Sequence, residues 1–277
     1  MTMRLMAACV QMTSGPDIAA NLANAAGLVR EAAGQGARLV CTPENTDVMR
    51  ADMLGTLALV PAEEDHPALP FFAELARELG VFLSLGSIGV RVASDKIANR
   101  SYLFDDKGAL VARYDKIHLF DVDLPTGESR RESAAVRPGG KAVIAPTPWG
   151  GVGMSVCYDL RFAYLYRALT QAGARILTVP AAFTVPTGQA HWEVLLRARA
   201  IETGSFVLAA AQCGIHEGGR ETYGHSLIIG PWGEVLAQGQ EVPGVIMAAL
   251  DLSAVDKARR AIPVLSHDRA IGLASSG

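Results

Sequence analysis

The apolar positions of the chain follow two spacings that alternate, one typical of buried strands and one of amphipathic helices. Residues 4–12, RLMAACVQM, form an apolar run that predicts a buried strand. Residues 18–33 then place apolar side chains at helical spacing until two glycines end the pattern. A second strand is predicted over residues 37–43, ARLVCTP. This β-α-β order favours parallel strands covered by helices.

The same helix-to-strand order returns twice more, at residues 70–90 and again at residues 161–183. Between these units, the apolar runs over residues 97–105 and 109–115 are separated only by a short polar turn, which is the arrangement of a β-hairpin. Crossovers give parallel neighbours and hairpins give antiparallel ones. We therefore expect an α/β fold with mixed sheets.

The second half of the chain is less regular. Residues 121–141 are polar, rich in Pro, Gly and Arg, and without periodicity, which predicts a long loop that carries either function or disorder. A helix is predicted over residues 191–202, after a turn at Pro186 and Gly188, and short strands follow. Because no linker divides the chain, we expect one domain over residues 1–277.

Composition narrows the functional classes. Half of the residues are hydrophobic and 19% are charged, which suits a compact protein with a two-sided core. The formal net charge is -3, so nucleic acid is an unexpected partner. The sequence has neither a signal peptide pattern nor a long apolar span, so we expect a cytoplasmic protein without a membrane partner. The four cysteines are far apart and without zinc-ligand spacing, which predicts neither disulfides nor a structural metal.

The most informative segment is TPWGGVGMSVCYDLRF, in which an apolar strand ends on Cys157 and a polar turn opens an amphipathic helix. A thiol in such an elbow points out of the carboxyl end of a strand, where open α/β sheets bind ligands. Backbone N–H groups at the elbow favour a thiolate and stabilise an oxyanion. A buried core cysteine is the alternative interpretation of the same pattern.

Two further charged residues follow apolar strands. Glu44 in LVCTPEN is a candidate base, and Lys116 in VARYDKIHLF is a cation that could stabilise an oxyanion and favour a thiolate. Taken singly, each residue is more often a solvated surface group. His118 is an alternative base, but a histidine satisfied by hydrogen bonds explains it better, so we leave it outside the catalytic set.

Together these residues and their motifs, TPEN, YDKIHLFDVDLP and GVGMSVCYDLRF, resemble the nitrilase or carbon-nitrogen hydrolase superfamily over nearly the whole chain. The resemblance implies a four-layer α-β-β-α sandwich, commonly paired through helices into a homodimer or a higher homo-oligomer. It implies that Glu44 is the general base, Cys157 the nucleophile and Lys116 the stabiliser of the tetrahedral intermediate, with the N–H of Tyr158 sharing the oxyanion. No cofactor is implied.

A second glutamate is common in this superfamily between the lysine and the cysteine. The chain offers Glu128 and Glu132, and the distance to the following Pro-Gly pair favours Glu132 as the residue that orients Lys116 or the substrate. A solvated carboxylate is the alternative for both. Three arginines of the same segment, Arg130, Arg131 and Arg137, could bind a carboxylate at the mouth of the site or form a solvated charge cluster.

Within the superfamily the chain resembles the deaminated-glutathione amidase and ω-amidase branch. The expected partner is therefore a small-molecule amide, with deaminated glutathione hydrolysed to 2-oxoglutarate and cysteinylglycine through a thioester. Phe183 and Thr184 are expected in the pocket wall, whereas the helix segment 191–193 is expected to support the site by packing. The alternatives are an ω-amidase acting on α-ketoglutaramate, a nitrilase, and a catalytically silent scaffolding protein.

Overall fold

The structure is a computed structural model that describes residues 4–50, 52–124, 127 and 129–272. Its strands are β1 (Arg4–Gln11), β2 (Leu39–Cys41), β3 (Phe82–Ala93), β4 (Lys96–Phe104), β5 (Leu110–Asp115), β6 (Asp121–Asp123), β7 (Ser129–Arg131), β8 (Val143–Thr147), β9 (Gly150–Met154), β10 (Ala174–Thr178), β11 (Phe206–Ala209), β12 (Cys213–Ile215), β13 (Glu221–Tyr223), β14 (Leu227–Ile229), β15 (Val235–Gln238) and β16 (Gly244–Asp251). Its α-helices are α1 (Ile18–Gly34), α2 (Met53–Leu59), α3 (Ala68–Leu79), α4 (Ala163–Gln171), α5 (Val185–Thr203) and α6 (Ser253–Ala261).

Two six-stranded sheets form the centre of the fold. The first has the order β16-β1-β2-β3-β4-β5, in which β1, β2 and β3 are parallel and the outer strands pair antiparallel. The second has the order β15-β14-β11-β10-β9-β8, in which β9, β10 and β11 are parallel. Both sheets are mixed, which confirms the prediction made from crossovers and hairpins.

Helices cover the outer faces of the two sheets. Helices α1 and α3 pack on the first sheet, and α4 and α5 pack on the second. One buried apolar cluster joins the sheets, with members such as Leu39 of β2 and Ile176 of β10. A second cluster lies under α1 and α3 and includes Val29 and Phe72. The layers are therefore helix, sheet, sheet and helix, which confirms the expected four-layer sandwich.

Two segments differ from their prediction. Helix α5 begins at Val185, so Pro186 and Gly188 lie in its first turn and not in a preceding turn. Proline is accepted there because the first N–H groups of a helix have no partner within the helix. Among the described residues of the segment 121–141, β6 and β7 pair antiparallel and a 3-10 turn follows at Glu132–Ala134, so the segment holds regular structure that the sequence did not predict.

The direction of the strands brings the site together. Strands β2, β3 and β5 run the same way in the first sheet, as do β9, β10 and β11 in the second. The segments that follow β2, β5, β9 and β10 meet at one edge of the sandwich, where ligand sites of α/β sheets usually lie. Within the described part of the chain, no helix has both the length and the apolarity needed to cross a bilayer.

Candidate active site

Cys157 lies in a sharp elbow between β9 and α4. Strand β9 ends at Met154, so the strand stops earlier than the sequence predicted, and Cys157 opens a 3-10 turn over Cys157–Arg161. Its φ of 49° is in the left-handed region, which costs a non-glycine residue about 1–2 kcal/mol. The N–H of Cys157 donates to the carbonyl oxygen of Pro180 at 2.9 Å. This bond fixes the elbow against the segment that follows β10.

Glu44 lies in the loop after β2 and is only 3% exposed. Its Oε1 accepts hydrogen bonds from Nζ of Lys116 and Nδ2 of Asn99, each at 2.9 Å, and its Oε2 accepts one from the N–H of Ala182 at 2.9 Å. The thiol of Cys157 lines the same pocket, and its interaction with the carboxylate acts to lower the pKa of Glu44. The structure thus brings Glu44, Lys116 and Cys157, the three residues singled out from sequence, into one buried cluster.

Lys116 directly follows β5, and its ammonium group lies between two carboxylates. Nζ is 2.9 Å from Oε1 of Glu44 and 2.9 Å from Oε2 of Glu132. Glu132 is held in turn by the N–H of Phe120, which donates to Oε2 at 2.6 Å. Glu132 therefore contacts Lys116, whereas the competing candidate Glu128 lies outside the described residues.

Asn99 belongs to this cluster but was not singled out from sequence. Besides its bond to Glu44, its Nδ2 lies 3.3 Å from Oε1 of Glu132. Asn99 is near the start of β4, which runs antiparallel to β3 and so begins at the edge where the site lies. The only sequence signal was a buried-strand pattern, IANRSYLF, interrupted by three polar residues that begin with Asn99.

Burial and neighbouring charges set the protonation of the cluster. Burial and the Glu44 carboxylate raise the pKa of Cys157 well above its ordinary value, although Lys116 acts to lower it. Burial raises the pKa of Glu44, but Lys116 and the hydrogen bonds outweigh it and the net pKa is lowered. Burial acts to lower the pKa of Lys116, but Glu132 and Glu44 raise it well above its ordinary value.

The resting cluster therefore combines a carboxylate, an ammonium group and a neutral thiol. Lys116 and the backbone do act to lower the pKa of Cys157, as expected, but their effect is outweighed. The reason is that the thiol is buried beside the negative charge of Glu44, and both effects destabilise a second anion.

Asp159 ties the elbow to the strand that leads to the lysine. Its Oδ2 accepts hydrogen bonds from the N–H of Val156 at 2.9 Å and from the hydroxyl of Tyr114 at 2.7 Å. Its Oδ1 accepts the N–H of His118 at 3.0 Å and lies 2.6 Å from Nδ1 of the same residue. His118 is thus occupied in a structural network, consistent with leaving it outside the catalytic set.

A pocket opens above the thiol and encloses about 1020 Å³ including its open mouth. Tyr158, Phe183 and Thr184, the residues expected to bind the substrate, all line it. Phe183 packs against Trp192 of α5, with ring centroids 4.8 Å apart, and the indole N–H of Trp192 donates to a backbone carbonyl at 2.8 Å. Trp192 therefore supports the pocket wall through packing, as expected.

The arginines around the pocket differ in part from the expected set. Arg130 and Arg131 line it, and Arg131 is exposed and paired with an aspartate of its own hairpin. Arg137 is exposed and is not among the lining residues, although its neighbour Val136 is. Arg50 and Arg220, which the sequence did not indicate, line the pocket as well.

Known proteins with the same sequence pattern and fold are numerous. The sequence profile of the carbon-nitrogen hydrolase family matches residues 6–260. The deaminated glutathione amidase of Homo sapiens is 46% identical over 278 aligned residues, which cover 96% of this chain and 82% of the human protein.

Solved structures agree with the sequence relatives. The NitFhit protein of Caenorhabditis elegans matches with a TM-score of 0.89 and 38% identity, covering 97% of this chain and 66% of that one. An amidase from Nesterenkonia sp. AN1 matches with a TM-score of 0.79 and 27% identity, covering 94% of this chain and 98% of that one. In that crystal structure acrylamide has added to the active-site cysteine by Michael addition.

Proposed function

Because the chain belongs to the carbon-nitrogen hydrolase family, we propose that it is an amidase that hydrolyses deaminated glutathione to 2-oxoglutarate and cysteinylglycine. One observation carries the proposal. Cys157 is buried and lines the same pocket as Glu44 and Lys116, in a chain that is 46% identical to the human deaminated glutathione amidase. A thiol shielded from solvent beside an ionised carboxylate suits covalent catalysis.

In the first half of the proposed reaction, Glu44 takes the proton of the Cys157 thiol and the sulfur attacks the amide carbon. A carbon–sulfur bond forms, and the carbonyl electron pair moves to oxygen. The ammonium of Lys116 and the N–H of Tyr158, at the start of the 3-10 turn where N–H groups lack helical partners, stabilise this oxyanion. Glu132 holds Lys116 in place. Glu44 then returns the proton to the amide nitrogen, the oxyanion re-forms the carbonyl, the carbon–nitrogen bond breaks, and the amine leaves a thioester behind.

In the second half, Glu44 removes a proton from water, and the hydroxide attacks the thioester carbon. The carbon–sulfur bond breaks, the acid leaves, and Cys157 regains its proton. Every proton is thus exchanged through Glu44, and the lowered pKa of Glu44 supports its starting in the required ionised form. These steps use only groups of the chain, the substrate and water.

The proposal is tested by comparing kcat/KM for deaminated glutathione, α-ketoglutaramate, a simple amide and a nitrile, with 2-oxoglutarate, ammonia and acid products followed. Deaminated glutathione should give the highest value, and Cys157→Ala should lower it by at least about 1000-fold because the covalent route is lost. Cys9→Ala removes another buried thiol, one that does not line the pocket, and should leave kcat/KM within about twofold.

Other outcomes change the assignment. Preferred turnover of α-ketoglutaramate would make the protein an ω-amidase, and turnover of the nitrile alone would contradict an amidase. Hydrolysis that survives in Cys157→Ala would contradict the covalent mechanism. An intact, folded protein that turns over none of the four compounds would favour the scaffolding alternative.

A further inference from the structure

Arginines from separate segments face the pocket above Cys157. Arg50 comes from the segment between β2 and α2, Arg130 from β7, and Arg220 from the turn before β13. The pocket also contains the carboxylates of Glu44 and Glu132, but both are bound to Lys116. Hydrolysis of a neutral amide needs none of these guanidinium groups, so the proposed reaction alone does not explain why they line the pocket.

Arg50 holds a buried donor without a close acceptor. Its Nε is shielded from solvent and has no hydrogen-bond partner among the described residues. The nearest carboxylate oxygens, of Glu217 and Asp52, are 3.8 Å and 3.7 Å from its guanidinium nitrogens, beyond hydrogen-bond distance. A buried charged donor that lacks an acceptor is destabilising, and a ligand carboxylate would remove that cost.

Arg220 lies close to the reacting groups. Its guanidinium donates to the carbonyl oxygen of Ala182 at 3.4 Å, while the N–H of the same residue donates to Glu44 at 2.9 Å. The segment that ends in Ala182 also contacts the elbow, because the carbonyl oxygen of Pro180 accepts the N–H of Cys157 at 2.9 Å. Two hydrogen bonds and the width of one residue separate the Glu44 carboxylate from Arg220, a distance of at most about 10 Å.

Arg50 and Arg220 belong to one wall of the pocket, because Arg50 pairs loosely with Glu217 in the 3-10 turn that directly precedes Arg220. Both side chains are only partly exposed. Guanidinium groups bind carboxylates with two parallel hydrogen bonds, and partial burial strengthens such bonds. The distance from Arg220 to the Glu44 carboxylate, in the same pocket as Cys157, suits a substrate in which a short carbon chain separates a carboxylate from the scissile carbonyl.

We propose that Arg50 and Arg220 form a carboxylate-binding subsite for the acyl part of the substrate. This inference rests on the proposed amidase function and adds the residues that bind the free carboxylate of the acyl chain and so favour such amides over neutral ones. Because the acyl part stays bound to Cys157 after the amine leaves, the subsite holds the thioester in place during its hydrolysis.

The test compares two substrates, glutaramate with a free carboxylate and its methyl ester, in the full-length protein. The ratio of kcat/KM for glutaramate to kcat/KM for the ester should fall about 10- to 100-fold in Arg220→Ala and in Arg50→Ala, the loss expected for a charged hydrogen-bonded pair. Arg220→Lys should recover part of the ratio. Arg30→Ala, in an exposed ion pair on α1, should leave both rates unchanged.

A binding measurement separates this inference from the proposed function. Isothermal titration of glutarate and of neutral glutaramide into Cys157→Ala should show tight binding of glutarate only, weakened 10-fold or more when Arg220→Ala is added. Such binding without any amide turnover by the wild type would uphold the subsite and overturn the amidase. Equal kcat/KM for acid and ester, or glutarate binding indifferent to both arginines, would overturn the subsite.

Discussion

At the scale of single residues, the charge of Glu44 controls its neighbours. The carboxylate is buried yet ionised, because Lys116, Asn99 and Ala182 all donate to it. That same negative charge is a main reason why the pKa of Cys157 is raised, while Lys116 opposes it. Removing the charge of Glu44 should therefore lower the pKa of the thiol, whereas removing the charge of Lys116 should raise it.

We predict that Glu44→Gln lowers amide turnover by about 100- to 10,000-fold, since the general base is lost. In the same variant the pKa of Cys157 should fall, because two causes that raise it disappear and Lys116 remains. The rate of alkylation by iodoacetamide, measured against pH, should then rise at lower pH than in the wild type. Activity and thiol reactivity would change in opposite directions.

Lys116→Met is the matched control, because it removes the charge that lowers the pKa of Cys157 and should move the alkylation curve to higher pH. Circular dichroism would establish that both variants are folded. Curves that move in the same direction, or a Glu44→Gln curve at higher pH, would contradict the electrostatic account.

The sequence allowed the identity of these residues to be predicted better than their state. Glu44, Lys116 and Cys157 each follow a strand, and their motifs carry the family resemblance. The protonation of Cys157 depends on burial and on distances to two opposite charges, which no local pattern records. Asn99 was missed for a similar reason, since a single polar residue in a strand does not reveal which carboxylate it will meet.

At the scale of elements, the loop that carries Glu44 is shaped by a close contact with β3. A Cβ atom on Gly86 would lie 2.0 Å from the carbonyl oxygen of Thr42 and 2.4 Å from that of Pro43. These are backbone atoms next to Glu44, so they cannot rotate away. The absence of a side chain at Gly86 lets strand and loop approach closely enough to place the carboxylate.

Gly86→Ala should therefore displace the Glu44 loop, lowering kcat about 10-fold or more and the free energy of unfolding by about 1–3 kcal/mol. Urea denaturation and steady-state kinetics measure both. Gly27→Ala is the control, because Gly27 is in α1 with no atom within 4 Å of the added Cβ, and it should raise stability by about 0.5–1 kcal/mol. Unchanged activity in Gly86→Ala would show that the contact does not position Glu44.

Elements were predictable where the apolar spacing is long and regular, as in α1 and β3. Elements were harder to predict where the same residues are compatible with both a turn and a helix. Pro186 and Gly188 are typical of a turn, yet both fit the first turn of α5. The polar hairpin of β6 and β7 has almost no apolar alternation, so its pairing, Val122 opposite Arg130, is not visible in the spacing.

At the scale of the whole molecule, periodicity predicted mixed sheets, whereas the pairing of two sheets came from the resemblance. Alternating strands and helices are equally typical of a single open sheet with helices on both sides. The residues that distinguish a two-sheet sandwich from a single open sheet are those buried between the sheets, such as Leu39 and Ile176. They cannot be recognised in the sequence, because a buried strand has the same apolar run in either fold.

The expected homodimer stays a prediction, and the outer helical layer indicates where it would form. Val194 and Ile201 lie on one face of α5 and are 70% and 53% exposed. Trp232, 60% exposed, directly precedes Gly233, which accepts a hydrogen bond from Arg197 of α5 at 2.9 Å and lies against the side chain of Ile201. Adjoining exposed apolar side chains of this size mark an association surface.

Charge on this surface should therefore separate the protomers. We predict a dimer for the wild type in sedimentation velocity and a mainly monomeric species for the double variant Val194→Glu, Trp232→Glu, because a symmetric interface would bury both new charges twice. Leu110→Glu is the control, since Leu110 is 49% exposed on β5 of the other sheet and should leave the dimer intact. A wild-type monomer at micromolar concentration would contradict the prediction. A dimer that persists in the double variant would show that the interface lies on another face of the protein.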